Sequence, residues 1–125
     1  MAISATIPAI QSWAWLPVNL VYADGTTAKD LVAGTVNGRR VTTLTCYSDA
    51  TAPGSNITLI IEGYDGATYS TIYTTPLINT AYTQQLNLQF ADVVLPASTY
   101  KIRARVTTNI QSAANLMFLT RAGDY

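Results

Sequence analysis

The sequence predicts an all-β domain: a single antiparallel β-sandwich, jelly-roll-like or immunoglobulin-like, with seven to eight strands and a short N-terminal arm. Three observations predict it. Apolar and polar residues alternate along most of the chain, turn dipeptides recur at short intervals, and no segment shows a helical period. Thr, Tyr, Val and Ile, which fit a pleated and half-buried surface, are abundant, and Thr alone accounts for 19 of 125 residues. That length fits one domain able to bury a core without staples.

Taken in order, residues 1–14 read as the arm and 15–125 as the sandwich. The first dozen residues are apolar and lack the shape of a turn-bounded strand. Trp15–Tyr22 is the first expected strand, ended by Asp24-Gly25. Leu31-Val32 follows, joined through Asn37-Gly38 to Arg40–Tyr47 in an expected hairpin. Asn56–Gly63 is apolar almost throughout and is placed centrally in its sheet. Asp65-Gly66 links it to Ala67–Thr75 as a two-residue hairpin, since both turn positions tolerate positive φ. The connection from Thr75 to Gln85 is read as the longest, crossing an end of the sandwich. Leu86–Phe90 and Tyr100–Val106 alternate most cleanly, and Asn115–Thr120 is the last strand. The expected core is Ile57, Leu59, Ile61, Leu88, Phe90, Ile102 and Val106.

Composition excludes several kinds of chemistry. Charged residues make up 11% of the chain, and seven basic side chains balance seven acidic ones. A net charge of zero removes the electrostatic case for nucleic acid or an anionic membrane as partner. Without His there is no Ser-His-Asp or Cys-His machinery. A lone cysteine, Cys46, allows neither an internal disulfide nor a multi-thiolate metal site, and the oxygen ligands lack metal-loop spacing. No cofactor, no metal and no catalytic residue is expected. No Lys or Arg precedes the first apolar residues, so a signal peptide is not expected, and no apolar run reaches membrane-spanning length.

The remaining candidates are weighed against structural roles. The carboxylates are scattered, and Asp24 and Asp65 each precede Gly, where Asp serves a turn through its backbone hydrogen bonds. Cys46 reads as a small buried hydrophobe. Arg103 and Arg105 share a strand face with Lys101, and Arg39 and Arg40 adjoin the Asn-Gly turn. Five Arg against two Lys favours a protein interface or a solvated face over nucleic acid. Trp13 and Trp15 share a face in an extended segment, beside an arm that carries Ile3, Ile7 and Ile10. Ile3, Ile7, Ile10, Trp13, Trp15, Arg39, Arg40, Arg103 and Arg105 form the expected interface set.

Four stretches carry a family resemblance. They are Leu16-Pro17-Val18-Asn19-Leu20-Val21-Tyr22-Ala23-Asp24-Gly25, Val32-Ala33-Gly34-Thr35-Val36-Asn37-Gly38-Arg39-Arg40-Val41, Ser48-Asp49-Ala50-Thr51 and the closing Arg121-Ala122-Gly123-Asp124-Tyr125. Together they resemble small β-rich virion proteins of tailed bacteriophages, of the head-decoration or cement kind. The chain departs from that group at Trp13 and Trp15, and Arg39-Arg40 stands where smaller residues are expected. The resemblance implies a structural, non-catalytic protein of the virion, on the capsid surface, assembled in the host bacterial cytoplasm, with the major capsid protein as partner. It implies a homo-oligomer, and a trimer fits capsid threefold positions. The competing class is a carbohydrate-binding β-sandwich module of a phage fibre or bacterial enzyme, which would use aromatic platforms for sugar rings.

Overall fold

The computed structural model of the chain describes residues 12–125, and within them the side chains of all but Ser12, Ala91 and Asp92. Eight strands run through these residues: β1 (Ser12–Val21), β2 (Lys29–Ala33), β3 (Arg39–Ser48), β4 (Thr58–Tyr64), β5 (Tyr69–Pro76), β6 (Gln84–Leu95), β7 (Lys101–Val106) and β8 (Asn115–Asp124). They form two antiparallel four-stranded sheets, ordered β1-β8-β3-β6 and β2-β7-β4-β5. Only β4 and β5 are consecutive strands of one sheet; every other connection crosses to the opposite sheet. That eight-stranded double-sheet pattern is the jelly roll.

Period-2 patterning explains the layers. In β7, Ile102, Ala104 and Val106 are buried while Lys101, Arg103 and Arg105 stay partly exposed. In β8, Leu116, Phe118, Thr120 and Ala122 point inward. Opposite β8, Leu20, Val41, Leu44 and Cys46 fill one sheet's inner face, and Leu59, Ile61, Ile102 and Val106 fill the other's. Each such residue removes its apolar surface from water at roughly 25 cal/mol per Å². Burial also pushes the Cys46 thiol well above its ordinary range, so it stays protonated and inert.

Several expectations need correction. Asn37-Gly38 is not a hairpin, because β2 pairs with β7 whereas β3 pairs with β6 and β8. The turn itself exists: Gly38 N–H donates to the Thr35 carbonyl at 3.0 Å, and Gly38 takes φ +93°. A primed hairpin turn needs positive φ at its first central residue, and in type I′ at both; neither Val36 nor Asn37 has it. The chain therefore turns a corner between sheets. Gly34 is fixed by a different constraint, since a Cβ there would collide with the Ala97 carbonyl.

Asp65-Gly66 does make the β4–β5 hairpin, but through a four-residue loop, with Tyr64 opposite Tyr69. The Asp65 side chain accepts from the Ala67 and Thr68 N–H groups at 2.9 and 2.8 Å, which stabilises the longer loop. The longest connection is 49–57, between β3 and β4, not the β5–β6 segment, although the latter does cross between sheets. β1 begins at Ser12, within the stretch read as arm. Ile3, Ile7 and Ile10 lie outside the described residues.

Of the expected core, Ile57, Leu59, Ile61, Ile102 and Val106 are buried, whereas Leu88 and Phe90 are only partly so. Their register is right, but β6 ends its sheet, and an edge strand has no neighbour to cover its far side. Phe118, in the middle of that sheet, is the largest fully buried side chain. Phe118→Ala should therefore cost about 3–5 kcal/mol and Phe90→Ala distinctly less, measured by urea unfolding. Equal losses would contradict the central position of β8.

Thr120 is almost fully buried, and its hydroxyl finds no hydrogen-bond partner. Leaving a buried polar group unsatisfied costs about 1–3 kcal/mol. Replacing it with the near-isosteric apolar side chain, Thr120→Val, should raise the melting temperature.

Candidate interaction faces

The two outer sheet faces differ in kind. On the β1-β8-β3-β6 sheet, side chains that alternate with the core residues point outward in aligned rows. Trp13, Gly123, Arg40 and Val94 occupy one row, and Trp15, Arg121, Thr43 and Gln89 the next. Further along, Asn19, Met117, Tyr47 and Gln84 align. Trp13 and Trp15 are 44% and 50% exposed, and Met117, Tyr47 and Val94 are comparably open. The Arg121 guanidinium lies 5.5 Å from the Trp13 ring centroid and 5.2 Å from that of Trp15. One cation thus serves two aromatic rings and holds them side by side. Arg40 and Arg121 lie on this face as well. An aromatic, weakly cationic surface of this composition is the kind that proteins bury against partners.

The outer face of the second sheet is satisfied within the chain. Glu62, buried on β4, accepts from Arg103 Nε at 2.8 Å and Arg105 Nε at 3.3 Å. The Arg103 guanidinium also stacks on Tyr69, 3.1 Å from the ring centroid, and Tyr69 stacks on Tyr64 at 4.3 Å. Lys101 reaches Asp30 at 3.2 Å and lies over Tyr64. This is a built network in which one carboxylate orients two arginines. Arg39 belongs to neither face. It points into the end of the sandwich, pairs with Asp124 at 2.6 Å, and donates to the Ala33 carbonyl of β2 at 3.1 Å.

The expected interface set therefore divides. Trp13, Trp15 and Arg40 come together on one face; Arg103 and Arg105 lie on the opposite one; Arg39 is a strut at one end. Sequence reading missed Arg121, which sits two positions past Leu119 on the same strand face and becomes visible only once β8 is paired with β1. It also missed Glu62, which looked like one of the scattered carboxylates. Tyr82, one of the aromatic residues that could stack on a sugar ring, stands apart from both faces' central rows. It is 77% exposed with φ +52°, a strained conformation for a bulky residue that costs of order 1–2 kcal/mol.

Among the described residues, no three His, Cys, Asp or Glu side chains are grouped so as to hold a metal ion. No described helix is long and apolar enough to cross a membrane.

No protein-family model matches the chain, and no curated protein matches it in sequence. Its fold is nevertheless shared with a chain of the acidic stable capsid structure of Helicobacter pylori bacteriophage KHP30. That likeness has a TM-score of 0.65 at 13% identity, covering 92% of this chain and 90% of the other. Looser likenesses extend to the cyanophage Pam1 capsid asymmetric unit, with a TM-score of 0.46 at 17% identity over 91% and 84% of the two chains. A pentameric capsid protein from metagenomic phage sequences gives 0.45 at 16% identity, covering 88% of this chain and 62% of the other. At such identities the likeness is one of fold, and it agrees with the jelly roll described above.

The ion pairs carry a pH dependence. The Arg39 guanidinium holds the Asp124 carboxyl below its ordinary value of 3.8, and the Val21 N–H, with Lys29, does the same for Asp24. Carboxylates depressed in the folded state stabilise it fully above their unfolded value, and that contribution is lost as the pH falls through the folded value. The melting temperature should thus decline below about pH 4. Asp124→Asn should show a smaller decline than the parent protein between pH 5 and pH 2.

Proposed function

We propose that this chain is a structural virion protein, and specifically a decoration (cement) protein that binds and stabilises a phage head lattice. The observation that carries the reading is the two-way match in fold with a KHP30 capsid chain, at a TM-score of 0.65 over nine tenths of both chains. The sequence resemblance to small phage virion proteins supports it independently, since it rests on turn residues rather than on overall shape. The outer face of β1-β8-β3-β6 supplies the means. Trp13 and Trp15, braced by Arg121 and flanked by Arg40, are the anchors that meet the major capsid protein. The arm, with Ile3, Ile7 and Ile10, adds a contact to the capsid or to a neighbouring subunit. Aromatic and arginine side chains dominate the energetics of such contacts, and repetition over a lattice multiplies weak individual affinities. The role requires no catalysis. It places the protein on the capsid surface, assembled in the host cytoplasm, as a homo-oligomer for which threefold symmetry suits the lattice.

The alternative, a carbohydrate-binding module, draws on the same face, where Thr43, Asn87 and Gln89 share the outer surface with two exposed tryptophans. The two readings part in one experiment. Purified protein is mixed with heads assembled from the major capsid protein of the same phage and pelleted, and in parallel run through a polysaccharide affinity gel. The protein should pellet with heads and pass the gel unretarded. Trp13→Ala/Trp15→Ala should keep its β-sheet circular dichroism while losing at least about tenfold in head affinity, the loss expected of hot-spot residues. Retardation on the gel without head binding would replace the decoration role with the sugar-binding one.

A further inference from the structure

We infer that the free edge of β5 is the acceptor for residues 3–7 of a neighbouring copy of this chain, which adds there as a strand. The inference deepens the structural role proposed above by naming the contact between copies, and it can fail without that role failing.

The first observation is the condition of β5. It closes the order β2-β7-β4-β5, so among the described residues one of its edges has no strand beside it. It is exposed on both faces from Tyr69 to Thr74, with Ile72 43% and Tyr73 41% exposed. Its sequence, YSTIYTTP, carries no charge and no proline before its last residue.

Edge strands are normally blunted by shortness, charge, proline or bulges. β2 has only five residues, including Lys29 and Asp30. β1 has Pro17 in mid-strand. β6 contains Asp92, and its pairing jumps from Val41–Val93 to Thr43–Gln89. The single irregularity of β5 is a bulge at Ile72, which brings that side chain against Gly63. Of these four edges, that of β5 is the least defended.

The second observation is an open flank. β1 and β2 close one side of the sandwich, whereas on the other side β5 and β6 border a cleft of about 250 Å³ whose lining includes the apolar Ile72, Val93, Leu95 and Ile102 and the charged Asp65 and Lys101. A strand added to β5 would lay alternate side chains over this cleft and return the rest to solvent.

The third observation is the sequence of the segment that precedes β1. Ile3, Ala5 and Ile7 alternate with Ser4 and Thr6, and no charge occurs before Asp24. Such a segment offers three apolar side chains to the cleft and two hydroxyls to water. Pro8 then ends the run, as a residue without an N–H should.

Reach decides whose segment it is. Ser12 stands on β1, three strand positions from β6, so a strand beyond β5 lies about four spacings of ~4.8 Å sideways and a sheet separation of ~10 Å away, roughly 22 Å in all. From Ser12 back to Ile7 is five residues, which span at most about 18 Å fully extended. A copy cannot serve its own β5 in this way, but it can serve the next. Giving an arm on one side and accepting one on the other is a heterologous contact, which closes into a ring when the rotation allows.

The test uses the full chain with a photo-reactive benzoylphenylalanine in place of Ile72. Equal amounts of isotopically heavy and light protein are mixed, irradiated and digested with trypsin. The expected product joins peptide 41–101 of one isotope to peptide 1–29 of the other, on covalent oligomers. Ile3→Lys/Ile7→Lys in the same background should reduce the covalent oligomers, read on a gel before digestion, at least tenfold. Crosslinks confined to one isotope would make the arm's own β5 the acceptor and overturn the inference. Crosslinks between two 41–101 peptides would show β5 meeting β5 and overturn it as well, as would a folded protein that yields no crosslink. Head pelleting of the Ile3→Lys/Ile7→Lys variant runs beside it. Pelleting by that variant together with a missing crosslink would remove this contact and leave the decoration role in place.

Discussion

The first sheet hangs on β8. It lies between β1 and β3, pairing with both over nearly its whole length, so its register sets theirs. Strand side chains have a period of two, and a slip of one residue exchanges the faces completely. In β8 that slip would bury Met117, Leu119 and Arg121 and turn Phe118 out to water. The penalty for burying an unpaired guanidinium, added to the loss of the largest core side chain, keeps the strand in place. The alignment of Trp13, Trp15 and Arg121 on the outer surface follows from the same register. The core and the outer aromatic face are therefore specified together by one alternating strand.

The second sheet is organised by charge instead. Glu62 is the sole glutamate in the chain, and it sits where Arg103 and Arg105 can both reach it. A buried carboxylate facing two cations leaves neither arginine available as an open basic patch, and Tyr69 occupies the flat surface of one of them. The alternation KIRARV, which on its own resembles a basic stripe, thus serves the sheet's outer lattice of ion pairs. The face bearing the tryptophans, by contrast, carries open aromatic side chains, with Arg121 set between Trp13 and Trp15. The two outer faces thus differ in kind, one tied together by ion pairs and the other by a cation shared between two rings.

Much of the architecture was legible in advance, because alternation is a local property. All eight strands fall on segments that the pattern marks, and the central placement of Asn56–Gly63 follows from its nearly unbroken apolar run. Which strand pairs with which was not legible. Val32–Val41 has the same local signs as a hairpin, and nothing within those residues tells that Arg39 will bond to Asp124, 85 positions away. Edge positions were hidden for the same reason: Leu88 and Phe90 alternate as well as Ile102 and Val106 do, and only sheet order distinguishes a covered strand from an open one. Site residues shared that fate. Trp13 and Trp15 stood out by type, whereas Arg121 and Glu62 acquire their roles from partners distant in sequence.

The position of β8 also has a consequence for timing. It is the strand that joins β1 to β3, yet it follows every other strand in the chain. At translation rates of about 5–20 residues per second, roughly 5–20 seconds separate the synthesis of β1 from that of β8. Throughout that interval β1 has no strand beside it, and the two tryptophans have no guanidinium between them. The nascent chain is then at its most adhesive and least specific, so its protection from premature association rests on chaperones or on dilution. The face that carries Trp13, Trp15 and Arg121 is complete only after β8 has docked between β1 and β3, so it is among the last features of the fold to form.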